Sequence, residues 1–543
     1  MDSLTPTQFF LVALFLLPAS VFIYRTLYSK TDDTHVPLPP GPKPLPLIGN
    51  IPHLPPANAK PWIHWLKQSK TYGPLSSVTA LGQTIIIISS PSIASELLEK
   101  RSATTSSRPS FTFGSKLCGW ENGLAMMPYS PRTRAYRKAL HSILGTSAAI
   151  QQFYSLIEIE TARFLFKVLD NPSDVLQLIR TQAGSIILKV SYGYTIEPKG
   201  SDPLVDLADE ALDQFSRACS PGTWMVDILP FLQYLPEWVP GMTFKKTARH
   251  WRATLQAVAD RPYAFVEKMI RNGRAEESYL SKLIAKGDGG KPQELIDLGA
   301  DEEGIARWSA FALYTGGADT TVSSMSCFVL AMTLYPEIQA RAQSEIDAVT
   351  GLKGRLPMIS DRSNLPYVDA LLKEVLRWHP VAPIGVVHLV TKDGVYDGYS
   401  IPEGSFLMAN IYAMLHDPEV YVDPERSEPS RFLGEKPEPD PKNHAFGFGR
   451  RVCPGKLFAD AALFATIAGF LAVFDVRKAR DKDGNVIEPV VDFTEGLISH
   501  PKPFVCDVRP RSKAHGELVR RIEVHYPIPK EGDAKYLDRG VVV

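Results

Sequence analysis

Phe446-Gly447-Phe448-Gly449-Arg450-Arg451-Val452-Cys453-Pro454-Gly455 is the stretch on which the reading of this chain turns. It sets an aromatic ring, two glycines, an arginine and a cysteine at F-x-x-G-x-R-x-C-x-G spacing. Leu457 to Phe474 follows and reads as an apolar helix. Gly449 can take φ > 0, and Gly455 can bring backbone close to a flat ligand. Pro454 removes a donor and suits the start of the following helix. Cys453 is then expected at a helix N-terminus, where the dipole and free N–H groups favour a thiolate. Phe446 is the candidate to cover the sulfur and keep water away. A buried cysteine in a Gly/Pro-rich loop is the plainer alternative, and it leaves the spacing of the other residues without a purpose.

The rest of the composition supports one special cysteine. The chain has 543 residues, a formal net charge of zero and five cysteines, Cys118, Cys219, Cys327, Cys453 and Cys506. The odd count and the lack of a C-x-x-C pair argue against a disulfide framework and a zinc ribbon. The neutral balance gives no support to nucleic-acid binding. The length can enclose a sizeable cofactor.

Working outward, helix outweighs strand. Gly82 to Ser89 reads as a strand, Ser92 to Lys100 as a short helix with a serine cap, and Val395 to Leu407 as a short hairpin. Most of Ser130 to Lys286 has helical spacing, broken by Pro-Gly punctuation between Cys219 and Met242. Trp308 to Leu334 and Leu365 to Trp378 read as further helices. The expectation is a mainly α fold with a minor β-sheet and no second catalytic domain.

Two helices carry unusual residues. Glu374 and Arg377 lie on one face at i, i+3 spacing, among Ala370, Leu371, Leu372, Val375, Leu376 and Trp378. A pair buried there needs further partners to offset its desolvation. Gly316-Gly-Ala-Asp319-Thr320-Thr321 interrupts the long apolar helix, although two glycines cost roughly 1 kcal/mol each against alanine. Glycines permit a flat ring to approach. Thr320 could hydrogen-bond a backbone carbonyl, and Asp319 could relay protons.

Together these motifs resemble the cytochrome P-450 family over roughly Pro37 to Arg511. The cysteine loop resembles its haem signature, which implies Cys453 as the iron ligand of heme b and Arg451 as a partner of a haem propionate. Pro429-Ser-Arg431-Phe432 resembles the P-E-R-F segment, with Ser430 replacing the usual acid. The resemblance implies a structural cluster of Glu374, Arg377 and Arg431 behind the haem. Thr133-Arg134-Ala-Tyr-Arg137-Lys138 resembles the W-R-x-x-R-K helix with tryptophan replaced, which implies Arg134 as a propionate ligand. His388 resembles a further propionate partner. Gly316 to Thr320 match the oxygen-activation motif, which implies Asp319 and Thr320 as catalytic residues. Arg137, Lys138, Arg450 and Lys456 are the implied reductase docking face.

The implied activity is haem-thiolate monooxygenation of a lipophilic small molecule, with electrons from NADPH arriving through an NADPH-cytochrome P-450 reductase. Pocket segments placed by the resemblance are Phe111 to Met127, Phe311 to Ala318, Val381 to Val387 and Gly496 to Ser499. Details of the C-terminal region resemble fungal secondary-metabolism members such as O-methylsterigmatocystin oxidoreductase, so a terpenoid, polyketide or indole scaffold is expected. A haem sensor or carrier without turnover is the alternative, against which Asp319 and Thr320 argue.

The N-terminus supplies the expected location. No charged residue occurs from Ser3 to Tyr24, and Arg25 and Lys30 follow. A bilayer-crossing helix needs roughly 20 apolar residues, and the positive flank places the remaining chain in the cytosol. The expected organisation is an anchor at 1–30, a proline-rich linker at 31–58 and a catalytic domain at 59–543, on the endoplasmic reticulum membrane. The Trp- and Tyr-rich stretch from Pro221 to Gly241 is a candidate to dip into the membrane surface, or is a packed helix-loop.

Overall fold

A computed structural model describes residues 36–56, 59–220, 222–285, 301–351 and 354–537. The expected anchor lies outside the described residues. β1 (Leu75–Ala80) and β2 (Gln83–Ile88) form an antiparallel pair. The isoleucine run of β2 is fully buried at Ile86, Ile87 and Ile88, because both faces of the strand are covered. β6 (Phe406–Ala409) joins β2 in parallel, and β3 (His388–Leu389) pairs with β6 at the sheet edge. β4 (Gly394–Tyr396) and β5 (Tyr399–Ile401) make a separate hairpin. The hairpin expected over Val395 to Leu407 is thus shorter, since the last two of those residues belong to β6 in the main sheet. The last pair is β7 (Phe474–Lys478) with β8 (Cys506–Pro510).

Helices dominate. In chain order they include α1 (Pro61–Tyr72), α2 (Pro131–Leu144), α3 (Tyr154–Asp170), α4 (Val175–Tyr192), α5 (Pro203–Ala218), α6 (Phe244–Arg271), α7 (Glu302–Ala318), α8 (Thr320–Leu334), α9 (Pro336–Thr350), α10 (Pro366–Trp378), α11 (Lys456–Val473) and α12 (Lys513–His525). Several start with proline at the first turn, where its missing N–H is no loss. Ser90, the cap of the short helix Pro91–Ala94, makes no side-chain capping bond, and the chain continues as a π-turn over Ser95–Lys100. The simple Ser-capped helix expected at Ser92 to Lys100 is therefore corrected.

Two large apolar clusters meet along α11. One gathers Phe113, Trp120, Tyr314 and Phe311 with the first turns of α11, Phe458, Ala461 and Ala462. The other gathers Phe328, Leu371, Phe464 and Phe470. α11 is the one described helix long and apolar enough to span a bilayer, yet it is mostly buried in the protein. Apolar length here reflects burial on all sides.

The proline-rich stretch is not a free spacer from Pro37 onward. Ser77 donates from its N–H to the Pro40 carbonyl and from its hydroxyl to the Pro39 carbonyl. Asn50 exchanges hydrogen bonds with the backbone of Thr79. The stretch around Pro39 to Asn50 is therefore fastened to β1. The tail also has a place: the Asp533 carboxylate accepts from the Thr195 N–H at 2.8 Å, and the Asp533 N–H donates back to the Thr195 carbonyl.

Candidate haem site

The cysteine loop is built by its glycines. Gly449 has φ +55°, and a Cβ there would sit 2.2 Å from the Leu98 carbonyl oxygen, so only glycine fits. The Cys453 N–H donates to the Phe446 carbonyl at 2.8 Å, closing the loop. α11 begins at Lys456 with Gly455 as its cap, so Pro454 lies ahead of the first helical position expected for it. Three of the five cysteines are buried and Cys506 is partly buried, whereas Cys453 is accessible. The loop still crowds the sulfur, and this desolvation pushes its pKa up. The Gly455 N–H and the charges of Arg137 and Lys456 pull it down.

Beside the loop stands a group of cations without counter-charge. Arg451 donates to the carbonyls of Ser106, Leu124 and Met127. Arg108 donates to those of Ala125, Val386 and Val387. Arg137 donates from Nη2 to Val452 at 2.7 Å. None of the three has a carboxylate partner among the described residues. Burial pushes the Arg451 pKa down to about 10, with the charge of Arg137 adding to the shift. Arg108 is pushed well below its ordinary value by burial and then by Arg451 and Arg137. His388, on edge strand β3, is buried with Nδ1 2.7 Å from the Thr105 carbonyl. Because a carbonyl only accepts, Nδ1 carries the proton. Burial and the Arg108 charge hold the His388 pKa far below its ordinary value.

Arg134 does not join this group. It is exposed, and its guanidinium lies 6.0 Å from the centre of the Tyr129 ring. Arg137, expected on the outer docking face, turns inward in its place. Thr133, where the family has tryptophan, is fully buried and works as a helix cap: it donates to the Pro128 carbonyl and completes a capping box with Ser130.

The long apolar helix is broken at Asp319, where α7 ends and α8 begins. The Thr320 hydroxyl donates to the Gly316 carbonyl at 2.6 Å. Gly316 is accessible, and a Cβ on it would meet nothing within 4 Å. Asp319 is held from both sides. One oxygen lies 3.1 Å from Nε2 of His500, and the other 3.6 Å from Nη1 of Arg180.

Behind the cysteine loop, Arg377 binds Glu374 through two parallel bonds of 2.8 Å, with both side chains fully buried. Arg431 adds an ion pair at 3.2 Å, though its Nε–H is not aligned for a hydrogen bond. Glu374 also accepts from the Glu428 N–H, and Arg431 takes a second carboxylate from Glu438. Arg377 further donates to the carbonyls of Leu415 and Arg426. This saturation is what a buried ion pair requires. Ser430 donates its hydroxyl to Glu428, so the replaced acid is not needed by the cluster.

The cytochrome P450 family model matches residues 39–507. The chain belongs to the cytochrome P450 family. It is 44% identical over 495 residues to cytochrome P450 monooxygenase ppsD of Aspergillus oryzae, covering 90% of this chain and 92% of that one. It is 44% identical over 513 residues to cytochrome P450 monooxygenase CLM2 of Gibberella zeae, covering 93% and 95%. It is 39% identical over 510 residues to O-methylsterigmatocystin oxidoreductase of Aspergillus flavus, covering 93% and 94%. The chain is therefore a haem-dependent monooxygenase.

The residues present fit a P450 haem. An exposed cysteine, open space at Gly316, room beside the sulfur at Gly455, and buried cations without carboxylate partners among the described residues match a flat iron macrocycle with two propionates. Gly455 would meet only the Cys453 sulfur, at 3.9 Å. The four pocket segments also converge: Phe111, Trp120 and Phe311 are in one cluster, with Val386 and Leu497 packed against it. Sequence reading missed Arg108. The one available signal was an arginine followed by proline and aromatic residues, Arg108-Pro-Ser-Phe111, leading into a pocket segment.

Proposed function

We propose that this P450 hydroxylates a lipophilic fungal secondary metabolite, of terpenoid, polyketide or indole type, using electrons from NADPH through a membrane-bound P-450 reductase. The observation that carries the site assignment is the cluster of Arg108, Arg137 and Arg451 beside an accessible Cys453. Cys453 is the iron ligand. Arg108, Arg137, Arg451 and His388 hold the propionates, and Phe446, Gly449 and Gly455 shape the loop against the ring. Glu374, Arg377 and Arg431 keep that loop in register. Thiolate-bound haem supplies dioxygen activation and O–O cleavage. Asp319 and Thr320 hold and move protons at the break between α7 and α8. The aromatic lining of Phe111, Trp120 and Phe311 excludes water and suits an apolar substrate.

Residues 1–30 anchor the enzyme in the endoplasmic reticulum membrane with the catalytic domain in the cytosol. Exposed Met225, Tyr234 and Trp238 support membrane contact by that part of the globule, as do exposed Leu45, Leu47 and Ile48. Lys138, Arg450 and Lys456 are left as the docking face for the reductase. The Aspergillus flavus relative, named for the oxidation of O-methylsterigmatocystin, supports a small-molecule substrate. A panel of terpenoids, polyketides and indoles, incubated with reductase and NADPH, tests this. A hydroxylated product from one class is expected. Turnover of fatty acids or sterols alone contradicts it.

A further inference from the structure

The carboxylate of Asp319 has two partners, and they differ in one chemical respect. Arg180, 3.6 Å from Oδ1, is a guanidinium, which offers donors and no acceptor. It is also committed to Asp209 at 2.6 Å. His500, 3.1 Å from Oδ2, carries an imidazole, which can take a proton on one nitrogen and release it from the other. The His500 side chain keeps 22% of its surface accessible, against 13% for Asp319. Its Nε2 faces Asp319, and its Nδ1 has no protein partner among the described residues.

The turn that bears His500 is fixed against the broken helix. The Ser323 hydroxyl, one turn beyond Asp319, donates to the Ser499 carbonyl at 2.6 Å. Ser499 is fully buried and is tied to His379 and to the Thr494 carbonyl. The Thr494 and His500 backbones are cross-linked, with the Thr494 N–H donating to the His500 carbonyl and the Thr494 hydroxyl accepting from the His500 N–H. The imidazole is thus placed by main-chain bonds at a set distance from Asp319.

We propose that His500 is the solvent-side proton entry to Asp319, a positioning and relay residue for the oxygen chemistry; this rests on the proton role of Asp319 proposed above. A proton from water arrives at Nδ1 and the Nε2 proton passes to Asp319 Oδ2, which leaves the neutral ring as its Nδ1–H tautomer; a tautomer shift then restores the Nε2–H form. Each proton that leaves Asp319 toward the dioxygen site is replaced by one step of this kind, with no change in electron count.

The test uses full-chain holoenzyme in lipid vesicles with saturating reductase and NADPH, and compares His500→Gln, His500→Ala and Asp319→Asn. The readouts are oxygen consumption in H2O and in D2O, haem content and the spectrum of the reduced CO complex. Both His500 variants are expected to slow oxygen consumption several-fold and to enlarge the solvent isotope effect, with haem content and spectrum unchanged. Glutamine can keep the hydrogen bond to Asp319 but cannot shuttle a proton. Recovery of the rate by His500→Gln would therefore show a merely structural contact and overturn the proposal. Unchanged His500 variants with an impaired Asp319→Asn would place the entry elsewhere. If Asp319→Asn is also unimpaired, the proton role of Asp319 falls as well. A crystal structure supplies a readout independent of turnover: an ordered water on Nδ1 is expected, and an imidazole turned away from Asp319 would overturn the relay.

Discussion

Arg137 reaches from α2 to the cysteine loop and donates a 2.7 Å hydrogen bond to the carbonyl of Val452, the residue before Cys453. Arg134, one helical turn earlier, remains exposed over Tyr129. Two arginines in one short motif therefore have different work. Arg137→Ala is expected to lower haem content and weaken the loop, whereas Arg134→Ala leaves haem content close to that of the parent. Pyridine haemochrome quantitation of the two purified variants checks this. Equal loss from both, or loss from Arg134→Ala alone, would contradict the assignment.

Glu374 lies at the centre of a fully buried charge cluster. Removing one member of such a pair leaves the other uncompensated, at a cost of about 3–5 kcal/mol. Glu374→Gln should accordingly lower the thermal unfolding midpoint strongly and reduce the yield of haem-loaded protein. Arg377→Lys should destabilise as well, because an ammonium cannot reproduce the two parallel bonds to Glu374.

Asp227 accepts from the Phe113 N–H at 2.7 Å through one oxygen, while the other is buried without a partner. Burial raises its pKa from 3.8 to about 6. The folded protein then holds a proton that the unfolded chain releases, so this group's contribution to stability falls as pH rises from 3.8 through about 6. Asp227→Asn keeps an acceptor for Phe113 and loses the charge. It should raise the unfolding midpoint at neutral pH and flatten its pH dependence in that window, as read by thermal scans at several pH values.

Thr320→Val preserves shape and removes the hydroxyl that bonds Gly316. Product formation is expected to fall by about 10²-fold, the lower end of what proton transfer contributes. Haem content should stay unchanged. Reduced product with unchanged electron consumption, measured as NADPH oxidised per product formed, distinguishes this from a binding defect.

The parts legible in the sequence are those fixed by short-range geometry. The cysteine loop, the Glu374–Arg377 pair and the helix break at Asp319 each fall within one turn or one helix, where residue spacing determines placement. The rest depends on distant backbone. Arg108 is buried because carbonyls at Ala125, Val386 and Val387 close around it, and nothing local announces them. Arg134 and Arg137 share a helix face, so spacing did not separate them; the Val452 carbonyl did. β6 pairs in parallel with β2 across more than three hundred residues of chain, which no local pattern encodes, and the run up to Leu407 resembled the end of a hairpin. The proline-rich stretch had the composition of a spacer, but Ser77 and Asn50 bind it to the globule.

The central claim is that Cys453 binds the haem iron as a thiolate, and the reduced, CO-bound absorption spectrum tests it most directly. Haem-loaded protein should show a Soret band near 450 nm, on the order expected for thiolate ligation. Cys453→Ala should abolish that band, and Cys118→Ala should leave it unchanged. A haem-loaded parent without the band, or a Cys453→Ala variant that keeps it, would contradict the account.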